Sequence, residues 1–381
     1  MQSTSAVGAS RPFHGVFDGE TVLVTGHTGF KGSWLAAWLL RLGARVVGYS
    51  KDIPTQPSLF ELGNLADRLT HHIGDVRDLP SLHRVVHESR PRFVFHLAAQ
   101  PIVSTSYKDP LETLSSNVMG TAHVMEALRT ADWPCTAVVI TSDKCYDNVE
   151  WVWGYRETDA MGGKDVYSGS KGAAELVFKS YWHSFFNRAD CPVQAATARA
   201  GNVIGGGDWA ADRIVADCIR AWQAGRPVEI RSPAATRPWQ HVLEPLSGYL
   251  ALAEQMTRTG RFNGDAYNFG PRAEQNRTVV QLLGDLGEIW GFDAREQAYT
   301  VVGNMPFHEA GLLKLNCDKA LLNLGWESNL SYAECMRMTG QWYRDVLREG
   351  RDALACTQAQ IAEYEALAAE RARVWQAAAA A

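Results

Sequence analysis

The chain has 381 residues and a formal charge of −5, from 37 basic and 42 acidic side chains. This balance excludes a strong attraction to nucleic acid or to an anionic membrane, because no net positive field draws the protein to phosphate polymers. The seven cysteines form no C-x-x-C pair, which is typical of free thiols in a reducing compartment and predicts no metal site. Neither a signal peptide nor a membrane span is predicted, so we expect a cytoplasmic protein.

Strand-like and helix-like segments alternate through the first half of the chain. The first unit consists of a strand at Thr21–Val24, a helix at Phe30–Leu42 and a strand at Arg45–Tyr49. Further strands are predicted at 71–74, 93–97, 137–141 and 194–200, and helices at 79–88, 111–129 and 166–186. This alternation is typical of an α/β fold in which a Rossmann-type, doubly wound parallel sheet carries helices on both faces.

The sequence predicts three regions of different character. Residues 18–200 are expected to form the dinucleotide-binding domain, and residues 201–350 a smaller α/β domain that binds the substrate. Within the second region a helix is predicted at 213–224, a strand at 228–230 and a helix at 246–258, and the chain should return to the first domain around 230–260. Residues 351–381 are rich in Ala and Glu, which favours a helix, expected to be a surface or oligomer-contact appendage.

A glycine-rich segment lies between the first predicted strand and the first predicted helix. Glycines permit the tight turn and let the backbone approach a pyrophosphate, whose charge then lies at the helix N-terminus. A purely structural turn is the alternative, but the position between strand and helix indicates dinucleotide binding. The spacing resembles that of the short-chain dehydrogenase/reductase superfamily, and the predicted contacts are Gly26, His27, Thr28, Gly29, Phe30, Lys31 and Gly32.

The residues after the second strand bear on which dinucleotide is bound. Asp52 would hold the adenosine ribose hydroxyls and favour NAD, whereas Lys51 would instead meet the 2′-phosphate of NADP. We expect NAD, with NADP as the alternative.

Two further segments are expected to touch the cofactor. Asp75 and Val76 fit the adenine contact of the superfamily, unless Asp75 is an ordinary helix N-cap. The fourth strand ends in small side chains that would let the cofactor lie across the sheet edge, at Ala98, Ala99 and Gln100.

A tyrosine and a lysine stand four residues apart at the start of the 166–186 helix. The i, i+4 spacing puts Tyr167 and Lys171 on one face, where the cation would lower the pKa of the phenol from about 10. Such a tyrosine can take the proton of a sugar hydroxyl while hydride leaves the same carbon for a nicotinamide. A surface pair is the alternative, but Ser142, after the 137–141 strand, would complete a serine–tyrosine–lysine triad.

Long stretches between about residue 20 and about residue 342 carry a closer resemblance: Gly26–Gly32, Pro57–Glu61, Thr141–Trp153, Gly154–Glu157, Tyr167–Glu175, Arg199–Trp209 and Arg237–Tyr249. They resemble the extended short-chain dehydrogenases/reductases of the nucleotide-sugar branch, and most of all the CDP-glucose 4,6-dehydratases. The resemblance implies tightly held NAD, conversion of CDP-glucose to CDP-4-keto-6-deoxyglucose and water, and a role in dideoxyhexose and O-antigen synthesis. It also implies a homodimer formed through the 111–129 and 166–186 helices.

The implied reaction needs an acid and a base beyond the triad. Oxidation at C4 makes the C5 proton acidic, a base removes it, an acid protonates the departing C6 hydroxyl, and hydride returns to C6. Asp143 is the candidate acid, which partial burial would keep protonated. The related dTDP-glucose dehydratases have Asp-Glu here, so we assign C5 proton abstraction to Lys144 as a hypothesis, its neutral form favoured by burial beside Lys171. The alternative is that Lys144 only pairs with Asp143 or with a phosphate.

The resemblance also implies contacts to the substrate. Asn202 would contact the diphosphate or the sugar, and His308 would lie near the nucleotide. Arg213 and Arg237 would bind the diphosphate, because a forked guanidinium suits it, unless they are solvated surface side chains. We add Ser106 to this set.

Three other functions remain open from the sequence. A nucleotide-sugar 4-epimerase or dehydrogenase needs the tyrosine and lysine but no acid–base pair. A 4,6-dehydratase acting on a dTDP- or GDP-hexose would use the same residues. A non-catalytic dinucleotide sensor would need only the glycine loop.

Overall fold

The computed structural model describes residues 11–230, 232–302 and 312–376. Its strands, numbered along the chain, are β1 (Thr21–Thr25), β2 (Arg45–Ser50), β3 (Thr70–Ile73), β4 (Phe93–His96), β5 (Cys135–Ile140), β6 (Val193–Ala200), β7 (Val203–Ile204), β8 (Val228–Ile230), β9 (Thr236–Pro238), β10 (Gln240–His241), β11 (Ala266–Phe269), β12 (Asn276–Thr278) and β13 (Tyr299–Val301).

The helices, numbered in the same way, are α1 (Phe30–Arg41), α2 (Leu59–Leu62), α3 (Leu79–Ser89), α4 (Val103–Lys108), α5 (Pro110–Leu114), α6 (Gly120–Arg129), α7 (Val166–Tyr181), α8 (Ile214–Gln223), α9 (Leu243–Thr259), α10 (Val279–Trp290), α11 (Asp318–Leu324), α12 (Tyr332–Leu347) and α13 (Ala353–Glu370). No helix among these described residues is long and apolar enough to cross a membrane.

A seven-stranded parallel sheet forms the centre of the molecule, in the order β11-β6-β5-β4-β1-β2-β3. Its inner strands are buried along their length because helices cover both faces, which confirms the predicted Rossmann-type fold. The strand order reverses between β1 and β4. A crevice opens at the carboxyl ends of the strands at such a point, and ligands bind there.

Two long predicted helices differ from the prediction in their interior. The segment predicted as one helix at 111–129 consists of α5, a π-helical turn at Ser115–Met119 and α6. The 166–186 segment consists of α7 followed by a π-helical turn at Trp182–Phe186. A π-turn is not visible in apolar periodicity, because it adds one residue without changing residue type.

The second half of the chain both extends the main sheet and covers its crevice. α9 packs against β5 and β6, and β11 adds the last parallel strand beside β6. Around them lie three two-stranded pairs, β7 with β10, β9 with β12 and β8 with β13. The chain therefore returns to the sheet through 243–269, slightly later than the expected 230–260.

The C-terminal helix α13 is a packed part of the fold, so the expectation of a surface appendage was wrong. It contacts α1 and α12, and its Leu354, Ile361 and Tyr364 are buried. Its Glu365 accepts hydrogen bonds from Trp38 at 2.9 Å and from Arg41 at 3.0 Å, both on α1. An alanine-rich composition predicts helix but cannot show which surface the helix covers.

Candidate active site

The predicted phosphate loop joins the end of β1 to the start of α1. Gly26 has a φ of +77°, and a Cβ atom there would lie 2.7 Å from the backbone nitrogen of Ala98, beyond the end of β4. A Cβ atom on Gly32 would lie 2.1 Å from the carbonyl oxygen of Gly26. Only glycine fits at these two positions, because any side chain would push the turn away from β4.

The start of α1 has the donor groups that a pyrophosphate requires. Its N-cap is Gly29, which makes no side-chain capping bond, and Phe30 and Lys31 follow in the first turn. The first N–H groups of a helix have no intrahelical partner, and the helix dipole adds positive potential there. The cradle thus fits a dinucleotide, and Ala98, the first of the predicted residues 98–100, forms its wall.

His27 and Thr28 tie this loop to the neighbouring strands. The His27 ring is buried, with Nδ1 2.9 Å from Ser50 Oγ and Nε2 2.6 Å from His71 Nδ1. Burial, with a smaller contribution from His71, lowers the pKa of His27 to about 3, so the ring is neutral. Thr28 Oγ1 donates to the carbonyl oxygen of Asp52 at 2.7 Å. The loop and the residues after β2 therefore form one unit.

Asp75 is not the N-cap of the following helix. That position is taken by Asp78, whose carboxylate accepts from the Ser81 N–H. The Asp75 carboxylate instead accepts from Arg77, at 2.9 Å from the backbone nitrogen and 2.6 Å from Nη2, and these bonds lower its pKa. Val76 beside it is buried. Both residues lie after β3, on the side of the crevice where the adenosine half of a dinucleotide is expected.

The predicted catalytic residues meet at the carboxyl end of β5. Ser142 caps a 3₁₀ turn at Asp143–Cys145, its Oγ accepting from the Lys144 N–H at 3.2 Å. The same hydroxyl donates to Asp143 Oδ1 at 2.9 Å, and Ser142 is among the groups close enough to Tyr167 to lower the pKa of its phenol. Tyr167 and Lys171 are buried on α7, which packs against the turn. The five residues predicted as catalytic are therefore neighbours.

The charges around Tyr167 differ from the expectation. Burial raises the pKa of Tyr167 in the free protein, and the cation that opposes this rise is Arg213, not Lys171. Burial also lowers the pKa of Lys171 to about 8, although Cys145 and Glu175 oppose it. The sequence predicted a lowered phenol pKa, but in the free protein it is raised, because desolvation outweighs the attraction to Arg213.

A buried ion pair behind this site escaped the sequence analysis. Arg199 on β6 binds Glu175 on α7, with Nε–Oε1 at 2.8 Å and Nη2–Oε2 at 2.9 Å. Glu175 also accepts from Thr141, and Arg199 donates to Tyr146 OH at 2.7 Å. The pair thus links α7, β5 and β6 behind the 3₁₀ turn at Asp143–Cys145, which we call the catalytic turn because it holds two of the predicted catalytic residues. The one sign of this pair in the sequence is that Glu175 follows Lys171 by four residues, as Lys171 follows Tyr167, which places all three near one face of the helix.

Asn117, a buried residue in the π-helical turn after α5, links two segments of the site. Its side chain accepts from the Gln100 N–H at 2.8 Å and donates to Ser170 Oγ at 2.8 Å. It therefore connects the segment after β4 to the helix that carries Tyr167 and Lys171.

Two cations face the catalytic turn from the phosphate-loop side. Burial lowers the pKa of Lys31 to about 7, and Arg213 and Lys171 lower it further, while Asp143 and Asp208 oppose them. Arg213 donates to the carbonyl oxygen of Pro101 at 3.4 Å. A cluster of cations next to the crevice suits a ligand that carries phosphate groups.

A narrow cavity leads from Asp143 into the second half of the chain. Gly201 lines it, and a Cβ atom there would lie 2.0 Å from Asp143 Oδ2, so glycine alone leaves room for the carboxylate. Asn202, with a φ of +52°, stands beside it. The other lining residues include two that the sequence analysis missed, Asn276 and Lys314. Neither belongs to a motif with a recognisable spacing.

The other residues predicted to bind the substrate lie on separate elements or outside the described residues. Arg237 is buried on β9, donating to the carbonyl oxygen of Thr236 at 2.9 Å. Ser106 is buried on α4, and its hydroxyl donates to the carbonyl oxygen of Val103 at 2.7 Å. His308 lies outside the described residues. Among the residues that are described, no three His, Cys, Asp or Glu side chains form a candidate metal site.

Comparison with known proteins finds similarity over most of the chain. The family model described as GDP-mannose 4,6 dehydratase matches residues 23–339. A curated CDP-glucose 4,6-dehydratase of Salmonella typhimurium is 48% identical, over 91% of this chain and 97% of its own length. A dTDP-glucose 4,6-dehydratase of Xanthomonas campestris is 26% identical, over 85% of this chain and 93% of its own.

A solved structure agrees with the fold. The dTDP-glucose 4,6-dehydratase DesIV of Streptomyces venezuelae, solved with NAD and TYD bound, superposes with a TM-score of 0.73 at 22% identity. The match covers 88% of this chain and 99% of that one. Both proteins therefore share the parallel sheet and the crevice at its carboxyl edge.

Proposed function

Since this chain belongs to the GDP-mannose 4,6 dehydratase family and is 48% identical to a CDP-glucose 4,6-dehydratase, we propose that it converts CDP-glucose to CDP-4-keto-6-deoxyglucose and water. The observation that carries the proposal is the hydrogen-bonded group at the end of β5. Ser142 is hydrogen-bonded to Asp143, and the helix that carries Tyr167 packs against the same turn, so a redox tyrosine and a carboxyl group would face one substrate. An epimerase or dehydrogenase needs the tyrosine but not the acid.

The cofactor is NAD, and the residues that would hold it fit its shape. The N–H groups at the start of α1 would bind the pyrophosphate, and the glycines at 26 and 32 leave room for it. The residues after β2 and β3 would hold the adenosine, and Lys171 would lie towards the nicotinamide ribose. When bound, NAD would supply a reversible hydride acceptor for the chemistry at the sugar C4 and C6.

The side chains of the catalytic turn supply the proton transfers. Tyr167 takes the C4 hydroxyl proton, and Ser142 holds that hydroxyl through its own hydrogen bond. We assign the acid that protonates the departing C6 hydroxyl to Asp143, whose carboxyl group borders the cavity. We assign C5 proton abstraction to Lys144, which is half-buried beside it. Burial raises the pKa of Tyr167 in the free protein, so the positive charges of Arg213 and bound cofactor are needed to ease its deprotonation.

We propose that the substrate enters along the cavity between β6 and the segment around 314. Asn202 and Arg237 would contact the diphosphate, and Arg213 would close the site from the other side. Lys314 is a further candidate for the diphosphate, because its side chain lines the same cavity as Asp143. The roles of Ser106 and His308 stay predictions.

We also propose a homodimer formed through α5–α6 and α7. What supports it is that these helices expose large apolar side chains, Leu111 at 75%, Met119 at 49% and Leu176 at 57%. The cytoplasm is the proposed compartment, supported by seven cysteines that are all free thiols. The product would serve the synthesis of dideoxyhexoses for lipopolysaccharide.

The test is a substrate comparison with the purified protein. CDP-, dTDP-, UDP- and GDP-hexoses are incubated with it, and the keto-sugar chromophore is developed with alkali. We expect the chromophore with CDP-glucose, without added NAD if the cofactor co-purifies. A chromophore with another nucleotide alone would contradict the assigned substrate, and accumulation of reduced cofactor without dehydration would contradict the assigned reaction.

A further inference from the structure

Two cations lie where we expect the 2′ position of the adenosine ribose of a bound dinucleotide. Lys51 follows β2 directly, and Arg77 follows β3, the neighbouring strand at the sheet edge. Positive side chains at this place commonly accommodate the 2′-phosphate of NADP. These two positive charges are typical of an NADP enzyme, whereas the comparisons with known proteins indicate NAD.

One carboxylate, that of Glu112 on α5, forms ion pairs with both cations. Its Oε1 lies 2.8 Å from Lys51 Nζ, and its Oε2 accepts from Arg77 Nη1. The remaining Arg77 nitrogens bind Asp75, with Nε at 3.0 Å and Nη2 at 2.6 Å. We call Lys51, Asp75, Arg77 and Glu112 the rim cluster. Its members come from three separate segments, after β2, after β3 and on α5, so the arrangement is tertiary.

The hydrogen bonds hold every member of the rim cluster in its charged form. Bonding to Glu112 raises the pKa of Lys51, and bonding to Lys51 lowers that of Glu112. Bonding between Asp75 and Arg77 lowers the pKa of Asp75 and raises that of Arg77. Asp52 adds a third negative charge near Lys51. The rim cluster together with Asp52 therefore has three carboxylates and two cations, a net charge of −1 at this edge of the sheet.

We propose that Glu112 is the residue that selects NAD over NADP in this chain, by holding Lys51 and Arg77. A ribose 2′-hydroxyl is neutral and tolerates this edge. A 2′-phosphate would meet a net negative edge and would have to break the Lys51–Glu112 pair before gaining a cation. The inference rests on the proposed dinucleotide site and names the side chain that sets its specificity.

The test measures binding and not turnover. Full-length protein freed of nucleotide is titrated with NAD and with NADP by calorimetry, as wild type, Glu112→Gln and Glu126→Gln. Glu126 is a matched control, because it pairs with Arg129 at similar exposure but on α6, away from the edge. We expect Glu112→Gln to tighten NADP binding about tenfold and to change NAD binding less than about threefold. Glu126→Gln should match wild type.

A double variant tests whether Lys51 is the cation that binds the 2′-phosphate of NADP. Lys51→Met in the Glu112→Gln background should remove most of the gain for NADP. Equal NADP-to-NAD affinity ratios in wild type and Glu112→Gln would overturn the inference, as would a gain that survives Lys51→Met. If the wild type bound neither dinucleotide, the proposed function would fail first and the inference with it. Thermal unfolding of each variant shows whether the fold is intact.

Discussion

At the scale of single residues, the groups proposed for redox chemistry and those proposed for dehydration come from different elements. Tyr167 and Lys171 come from α7, whereas Asp143 and Lys144 come from the 3₁₀ turn after β5. Ser142, between β5 and that turn, is hydrogen-bonded to Asp143 and to the Lys144 N–H. Because the two sets lie on different elements, a substitution in one can leave the other in place.

Lys144→Met should stop dehydration while C4 oxidation continues. Without a base at C5, we expect keto-deoxy product to fall by about 10²–10⁴-fold, the usual contribution of a positioned base. Reduced nicotinamide should then persist, seen by its near-ultraviolet absorbance after CDP-glucose is added. Tyr167→Phe is the comparison, since it should lose both signals. Full dehydratase turnover in Lys144→Met would show that another group is the base.

At the scale of elements, α13 is held in place through one buried carboxylate. Glu244 on α9 accepts from the Asn329 N–H at 2.8 Å and from Tyr364 OH on α13 at 2.9 Å. Burial raises the pKa of Glu244 to about 7, although these bonds oppose the rise. An ordinary carboxyl group titrates near 4.3, so the folded state holds more protons between about pH 4.3 and 7. This group's contribution to the free energy of unfolding is therefore lost as pH rises through that window.

Tyr364→Phe should destabilise the protein more at pH 8.5 than at pH 5. At the higher pH the Glu244 carboxylate is ionised and loses a charge-assisted donor, worth about 1.5–3 kcal/mol, whereas at the lower pH the carboxyl group is protonated. Urea unfolding at the two pH values gives the difference. Tyr332→Phe is the control, because its hydroxyl bonds Asp285 at 2.8 Å at a half-exposed site. Equal losses at both pH values would contradict a titrating Glu244.

At the scale of the whole molecule, exposed apolar side chains on α5–α6 and α7 are the basis of the proposed homodimer. Such patches on a folded chain mark interaction sites more often than not. Leu176 stands out on the exposed face of α7, while the opposite face of that helix carries Tyr167 and Lys171. An interface there would lie next to the active site without supplying residues to it.

Leu176→Glu should convert the expected dimer to a monomer of 42.0 kDa. A charge in the centre of an apolar interface must be desolvated without a partner, which disfavours association. Light scattering after size exclusion measures the mass. Leu322→Glu is the matched control, because this leucine is 84% exposed on α11, away from the proposed interface. A wild-type monomer, or a dimer that persists in Leu176→Glu, would rule out this interface.

The sequence predicted correctly where the segments that follow the strand ends lie in the fold. The glycine loop after β1 and Ser142-Asp143-Lys144 after β5 are short segments with a fixed place in the fold, because the carboxyl ends of parallel strands share one edge. The spacing of Tyr167 and Lys171 fixes their common face by helix geometry alone. These local rules gave the sheet, the cofactor loop and the catalytic neighbours.

Only the tertiary structure decided which distant charges neutralise one another. Lys51 and Glu112 are 61 residues apart, and Glu244 and Tyr364 are 120 apart, yet each pair is in hydrogen-bond contact. Burial decided the pKa of Tyr167 and the role of α13 in the same way. Pairing and desolvation depend on what packs around a side chain, and no spacing along the chain encodes that environment.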